Sequence, residues 1–423
     1  MIWMSKFNVK WNTFNQNIKH AFTANILSQI GLGIFMVIYN FYIRELGYPD
    51  QINGQVISMA AMATAIILIP AGILSDRVGR KQIILAGMAL TGLSLFFRSV
   101  IEPQFFLLLA AFMTGLTQAF IQVSTIPLLA ENSQPKERVG LFALHFGTMT
   151  AANVIGNLMG GTLTDAFGLI YSPLMSIRIT LIIGSAIFLF ALVPVWKLKE
   201  KKQETAIGAA IKKARLFHDL LKHKSSLKIM GLFGLAQLMI GFGAGLVIPY
   251  LNLYFSDRFQ ASNTSIGLII SLGQAATAIA MFIGPAVVRR IGEVRAVVLL
   301  QLASLPFLLL TGFTSSLLLA AIGFLFRQAL MNAGNPIQMS LMMSKVDDSV
   351  KGLANSVNQM AFNLGWALMG PVSMGIVAAN GAYRGYAIVF SITCFLYLCG
   401  SIYFFAVFKS LDKERKTNEP ALG

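Results

Sequence analysis

Charge is what this sequence has least of. Only 12% of its residues are charged and 56% are hydrophobic, whereas a soluble globular chain carries about 25% charged residues. A single soluble domain of 423 residues would lack the polar groups to cover its surface, so the composition calls for a chain that faces lipid. Cysteine is nearly absent. Cys394 and Cys399 are the only two and both fall in the last apolar run, which excludes a disulfide framework and, with no partner ligands nearby, a metal site. Acidic residues number 17 against 33 lysines and arginines, and none stands in the middle of an apolar run. No Gly-Lys-Ser/Thr phosphate loop and no nucleophile–base constellation is visible, so neither a built-in ATPase nor an enzyme is expected, and no cofactor is implied. No cleavable signal peptide is expected either: Met1 to His20 is polar and basic, and the first apolar run is too long for a signal core.

What is present is a series of long apolar runs. A membrane helix needs about 20 mostly apolar residues, and about twelve runs meet that length. They lie near 21–43, 54–75, 82–101, 104–130, 139–164, 174–196, 228–254, 264–288, 294–312, 315–343, 352–378 and 382–408. The net charge of +16 does not point to nucleic acid, because the basic residues sit in short clusters between these runs. Lysine and arginine favour cytoplasmic loops. With a cytoplasmic N-terminus, Lys6, Lys10, Lys19, Arg77, Arg80, Lys81, Lys136, Arg138, the cluster from Lys197 to Lys228, Arg289, Arg290, Arg295, Lys345, Lys351 and the tail lysines all fall inside. Arg44, Arg98, Arg178, Arg258 and Arg384 fall outside. Both termini are therefore expected in the cytoplasm.

The longest polar stretch divides the chain nearly in half. The expected organisation is a six-helix bundle over 1–196, a basic cytoplasmic linker over 197–227, a second six-helix bundle over 228–408 and a cytoplasmic tail over 409–423. Within the linker, Ala206–Leu221 reads either as an amphipathic helix on the acidic inner leaflet or as a solvated connection. The halves carry an internal repeat. Asn153, Leu158, Met159 and Gly160 fall on Asn363, Leu368, Met369 and Gly370 at one constant offset. The fourth and tenth runs share a late proline, Pro127 and Pro336, and the first and seventh share Asn-x-Tyr at Asn40/Tyr42 and Asn252/Tyr254. Transporters are commonly built from such repeats.

Between the second and third runs stands Gly72-Ile-Leu-Ser-Asp76-Arg77-Val-Gly79-Arg80-Lys81. This segment resembles the signature loop of the major facilitator superfamily (MFS), G-x-L-x-D-R-x-G-R-K, with every fixed position filled. The resemblance implies an all-α membrane protein with the MFS fold, two pseudo-symmetric six-helix bundles and alternating access. It also implies a gating role for Gly72, Asp76, Arg77, Gly79, Arg80 and Lys81, with Glu131 at the end of span four as a partner for the basic cluster. Physically, the two glycines permit close approach and a tight turn. The second half carries a changed copy at Pro285–Gly292, in which Arg289 replaces the aspartate.

The residues that speak to solute and coupling are fewer. Arg327 stands in span ten, and an arginine at a helix centre costs roughly 3 kcal/mol on insertion scales. It should therefore meet a cavity or a partner. Arg327, Met331, Gly334 and Gln338 share one face by helical spacing, and Gln118, Gln122 and Thr125 form a similar stripe in span four. By the resemblance, spans one, four, seven and ten line the cavity, which places Arg327, Met331, Gln338, Gln118 and Gln122 on its wall. Asn153, Asn157, Asn363 and Trp366 are further candidates, and they read equally well as interhelical hydrogen-bonding groups. His145 in span five is a possible proton carrier, or a hydrogen-bonded structural histidine. Measured against the drug-antiporter patterns of the family, Gly115 is present but Ala111 occupies the arginine position, and Gly156-Asn157-Leu-Met-Gly160-Gly161 carries Asn157 in place of proline.

The expected function is transport of a small-molecule solute across the plasma membrane, most simply efflux of amphipathic compounds by a secondary active transporter. A carrier or exchanger of anionic or lipid-like solutes, with Arg327 as counter-charge, is the alternative. A non-transporting receptor or scrambler is the alternative of another class. The expected partners are the solute and the lipid bilayer, with no nucleic acid, and the expected state is a monomer.

Overall fold

The computed structural model describes residues 14–134, 137–199, 224–347 and 350–418. The linker segment Ala206–Leu221 lies outside the described residues. Ten helical stretches among the described residues are long and apolar enough to cross a membrane. One of them, Lys351–Ser410, holds two spans, because the backbone turns at Gly381 with φ 73°. The helix Arg138–Gly168 takes the place of span five. Together they give the expected twelve, and no strand occurs among the described residues.

Helix boundaries follow from local chemistry. Spans two and four start directly after Pro49 and Pro103. Span six starts with Ser172 accepting from the Met175 amide and Pro173 in the first turn, a position where the missing proline N–H costs nothing. Two sharp turns rest on glycine. Gly79 between spans two and three has φ 117°, and Gly292 between spans eight and nine has φ 92°. Both values are readily reached only without a Cβ, and both glycines hold the same place in their half.

Two spans that read as continuous in the sequence are interrupted. Span seven runs as Lys224–Val247, a 3-10 turn at Ile248–Tyr250 and a second helix, Leu251–Phe259. Pro249 lacks the N–H needed to continue the α ladder. Span ten breaks at Gly334 into Leu317–Ala333 and Asn335–Lys345, with Pro336 in the first turn of the second piece.

The chain separates into two compact units, Met1–Lys213 with Ser262–Ser271, and Ala214–Ala261 with Leu272–Gly423. Within the first, spans one and five, two and four, and three and four are the main pairings, and within the second, span seven packs chiefly on the stretch Lys351–Asn418 that holds spans eleven and twelve, and span nine on span ten. Close approach depends on small residues, as is usual for membrane helices. A Cβ on Gly115 would stand 1.9 Å from the Ala60 carbonyl oxygen, and one on Gly241 would stand 2.5 Å from that of Phe362. Large apolar side chains such as Ile66, Phe190, Ile279 and Phe395 point outward, as they do in a protein solvated by hydrocarbon.

The repeat has a physical counterpart. The Tyr42 hydroxyl donates to the Ile101 carbonyl at the end of span three. The Tyr254 hydroxyl donates to the Thr311 carbonyl near the end of span nine. The shared Asn-x-Tyr therefore marks one tie made twice.

Candidate gating loop and intramembrane polar sites

The signature loop is built by the end of span two, the Gly79 turn and the first residues of span three. Asp76 and Arg77 lie in the last turn of the helix Asp50–Val78, and Arg80 opens the next helix. The Arg80 Nε donates to Glu131 Oε1 at 3.2 Å, and its Nη1 donates to Ser75 Oγ at 3.0 Å. Ser75 Oγ in turn lies 2.7 Å from Ser124 Oγ of span four. Arg80 of the basic cluster thus meets Glu131, and it ties spans two, three and four at one end. Arg77 is exposed and Lys81 half-buried. Gly79 makes the turn, as expected. A Cβ added to Gly72 would meet nothing within 4 Å among the described residues.

Arg327 is 3% exposed. Its Nη1 donates to Gln328 Oε1 at 2.8 Å and its Nη2 to the Tyr397 hydroxyl at 2.5 Å. The guanidinium also lies 5.3 Å from the Tyr397 ring centroid, within cation–π range. Its Nε is buried with no hydrogen-bond partner among the described residues. The face expected to continue from Arg327 stays buried through Met331, Gly334 and Gln338, and Gly334 keeps a helical backbone at φ −74° and ψ −21°. The sulfur of Met331 accepts from Ser304 Oγ of span nine at 3.7 Å. Beyond Gly334, Gln338 accepts from Gln237 of span seven at 3.0 Å. Tyr397 carried no signal in the sequence, since it sits in an ordinary apolar run far along the chain.

The asparagine candidates also find local partners. Asn157 is fully buried and donates to Asn153 Oδ1 at 3.1 Å, while its own Oδ1 has no partner among the described residues. Asn363 donates to the Gln359 carbonyl. Trp366 packs on Phe362, and its Nε1 is buried without a partner among the described residues. Gln118 is half-buried and Gln122 exposed, whereas Thr125 is buried and bonded to its own helix at Ile121. Ala111 is fully buried.

His145 is buried against span one. Its Nδ1 lies 3.4 Å from Asn25 Nδ2, and Phe22 and Phe146 present ring edges at 5.8 and 5.4 Å. With the asparagine amide as donor, the Nδ1 accepts and the proton sits on Nε2.

One arrangement was not foreseen. Asp165, near the end of span five, accepts from Asn263 Nδ2 at 2.8 Å and from the Thr264 backbone N–H at 2.7 Å. A carboxylate thus caps the first turn of the helix Asn263–Ile291, a place that favours negative charge. The residues Ser262–Ser271 belong to the same compact unit as span five. The seam continues along both helices. Ser271 Oγ donates to the Val154 carbonyl, and Cβ atoms added to Gly161 and Gly267 would collide with the backbone oxygens of Asn263 and Asn157. Gly161 of the Gly-Asn-x-x-Gly-Gly segment is required by this seam, and a Cβ on Gly160 would press on the backbone of Ile34 in span one at 3.1 Å.

The family model of the Major Facilitator Superfamily matches residues 21–235 and 233–422. A multi-drug resistance efflux pump, PmrA of Streptococcus pneumoniae serotype 4, is 26% identical over 384 residues, covering 88% of this chain and 91% of that protein. The multidrug resistance protein MdtG of Proteus mirabilis is 25% identical over 415 residues, covering 95% and 98%. Among solved structures, a bacterial homologue of the human lysosomal transporter Spinster superposes with a TM-score of 0.76 at 15% identity, over 94% of this chain and 97% of that one. The nucleoside transporter NupG gives 0.72 at 13% identity, over 93% and 99%. The identities of these two structures carry the fold alone, whereas the family model spans both halves: the chain belongs to the Major Facilitator Superfamily of membrane transporters.

Proposed function

We propose that this transporter exports amphipathic small molecules across the plasma membrane by alternating access, with both termini cytoplasmic and the two six-helix halves joined by the 197–227 linker. The observation that carries the reading is the end-to-end match to relatives named as multidrug pumps. The Met- and Phe-rich spans fit it, because such side chains make adaptable apolar walls. The loop from Gly72 to Lys81, with Arg80 held by Ser75 and Glu131, acts in this reading as a gate at the cytoplasmic end. Arg327 speaks less for an anion carrier than its sequence position did. Unlike a guanidinium with no oxygen partner, it already donates from both Nη atoms to Gln328 and Tyr397 and leaves only its Nε unpartnered among the described residues, which supports a structural part for it. The groups available to carry a coupling proton are Glu131, His145 and Asp165.

The test is accumulation of a fluorescent amphipathic cation in cells expressing the wild type or Asp76→Asn, with and without a protonophore. Lower accumulation with the wild type alone, abolished by the protonophore, is the expected result. Equal accumulation in all strains, with both proteins present in the membrane, refutes export of this class of solute.

A further inference from the structure

Arg98 is the buried cation of the first unit that the gate and the transport reading leave unused. It stands in the last turn of the helix Arg80–Val100 and is 9% exposed. Its guanidinium carbon lies 4.0 Å from the Tyr39 ring centroid and 5.9 Å from that of Phe35, and the two rings stack on each other at 5.8 Å. Ring faces and the end of the helix dipole compensate part of the charge, but neither gives the in-plane N–H groups an oxygen. Among the described residues no hydrogen bond reaches Arg98, and both its Nε and the nearby Tyr39 hydroxyl are buried without a partner.

Two carboxylates at this end of the unit bond to other arginines. Asp50 takes two bonds from Arg44, at 2.6 and 2.8 Å, and Glu102 takes one from Arg178 at 2.6 Å. By contrast, Arg258 of the second unit stacks on Tyr383 at 3.9 Å and also reaches the Thr314 carbonyl at 3.1 Å. Arg98 therefore has the aromatic seat of such a site without its oxygen. A guanidinium cannot shed its proton, and a buried charge is costly unless it is hydrogen-bonded. The missing component is an oxyanion.

We propose that Arg98, with the Tyr39 hydroxyl and the Phe35–Tyr39 ring pair, binds a phosphate group, and that its source is a phospholipid headgroup. Arg98 lies only about 4–5 Å of helical rise inside the end of its span. That is the interfacial depth at which arginines snorkel and tyrosines gather. Guanidinium donors match phosphate oxygens in pairs, and the rings wall the site toward hydrocarbon.

The test is native mass spectrometry of the purified full chain after delipidation and exposure to vesicles of phosphatidylglycerol and phosphatidylethanolamine. The wild type is expected to retain phospholipid that Arg98→Met loses by about tenfold, the cost of one charge-assisted pair, while Arg98→Lys and Tyr39→Phe, which keep the packing, lose several-fold. Arg98→Lys also serves where Arg98→Met fails to fold. Displacement by millimolar inorganic phosphate assigns the same chemistry to a free anion and removes the lipid as its source. Equal retention by wild type, Arg98→Lys and Tyr39→Phe overturns the site and leaves Arg98 as a purely aromatic-stacked residue.

Discussion

Replacing Gly115 with alanine adds one methyl group where spans two and four touch. In the present packing that methyl carbon would lie 1.9 Å from the Ala60 carbonyl oxygen and 2.7 Å from its carbon. Even a close C–H···O contact keeps carbon and oxygen about 3.3 Å apart, so the helices must part by roughly 1.4 Å, or the backbone at Ala60 must rotate. Either change disturbs the Thr64 hydroxyl, which bonds to the Gly115 carbonyl at 3.0 Å. Overpacking of this kind costs about 1–3 kcal/mol, and for a unit of this size each kcal/mol lowers the melting midpoint by about 2–4 °C. The control is Gly72→Ala, which adds the same methyl group in a helix with nothing within 4 Å. Thermal melts of the detergent-solubilised proteins should show Gly115→Ala well below the wild type and Gly72→Ala level with it or up to about 1 kcal/mol more stable, as alanine favours a helix interior. If Gly115→Ala melts with the wild type, the tight seam between spans two and four is refuted.

Tyr397→Phe removes the oxygen that Arg327 Nη2 uses while keeping the ring, and leaving a buried donor unmade costs about 1–3 kcal/mol. The same melts should register it, and an unchanged midpoint argues that another oxygen serves Arg327. Asp165→Ala uncaps the first turn of span eight, at a cost of about 0.5–2 kcal/mol. Amide exchange at Thr264, read by mass spectrometry, should speed up accordingly, and unchanged protection there contradicts the cap.

The architecture was largely legible because hydrocarbon imposes a length on every span, and length survives in a single sequence. The loop from Gly72 to Lys81 was legible for a similar reason: a fixed pattern in a fixed place. The pairing of Arg80 with Glu131 could be anticipated because both had to lie at one end of neighbouring spans. What stayed hidden depends on rotation and on distant partners. The stripe from Arg327 to Gln338 stays on a buried face of span ten, but the partners it meets there, Ser304 of span nine and Gln237 of span seven, cannot be read from span ten alone. Tyr397 and Asn263 are ordinary residues until the fold brings them to Arg327 and Asp165. Gly72 has open space around it among the described residues, which its place in the motif does not reveal.

The paired tyrosine ties of Tyr42 and Tyr254 have a bearing on how such a protein tolerates change. Each joins the first helix of its half to the far end of the third by one hydroxyl and one backbone carbonyl. A carbonyl is offered by every residue type, so the tie itself sets no demand on the side chains of Ile101 and Thr311. Two halves that differ in nearly every side chain can therefore keep a common anchor, one hydroxyl that meets one main-chain oxygen.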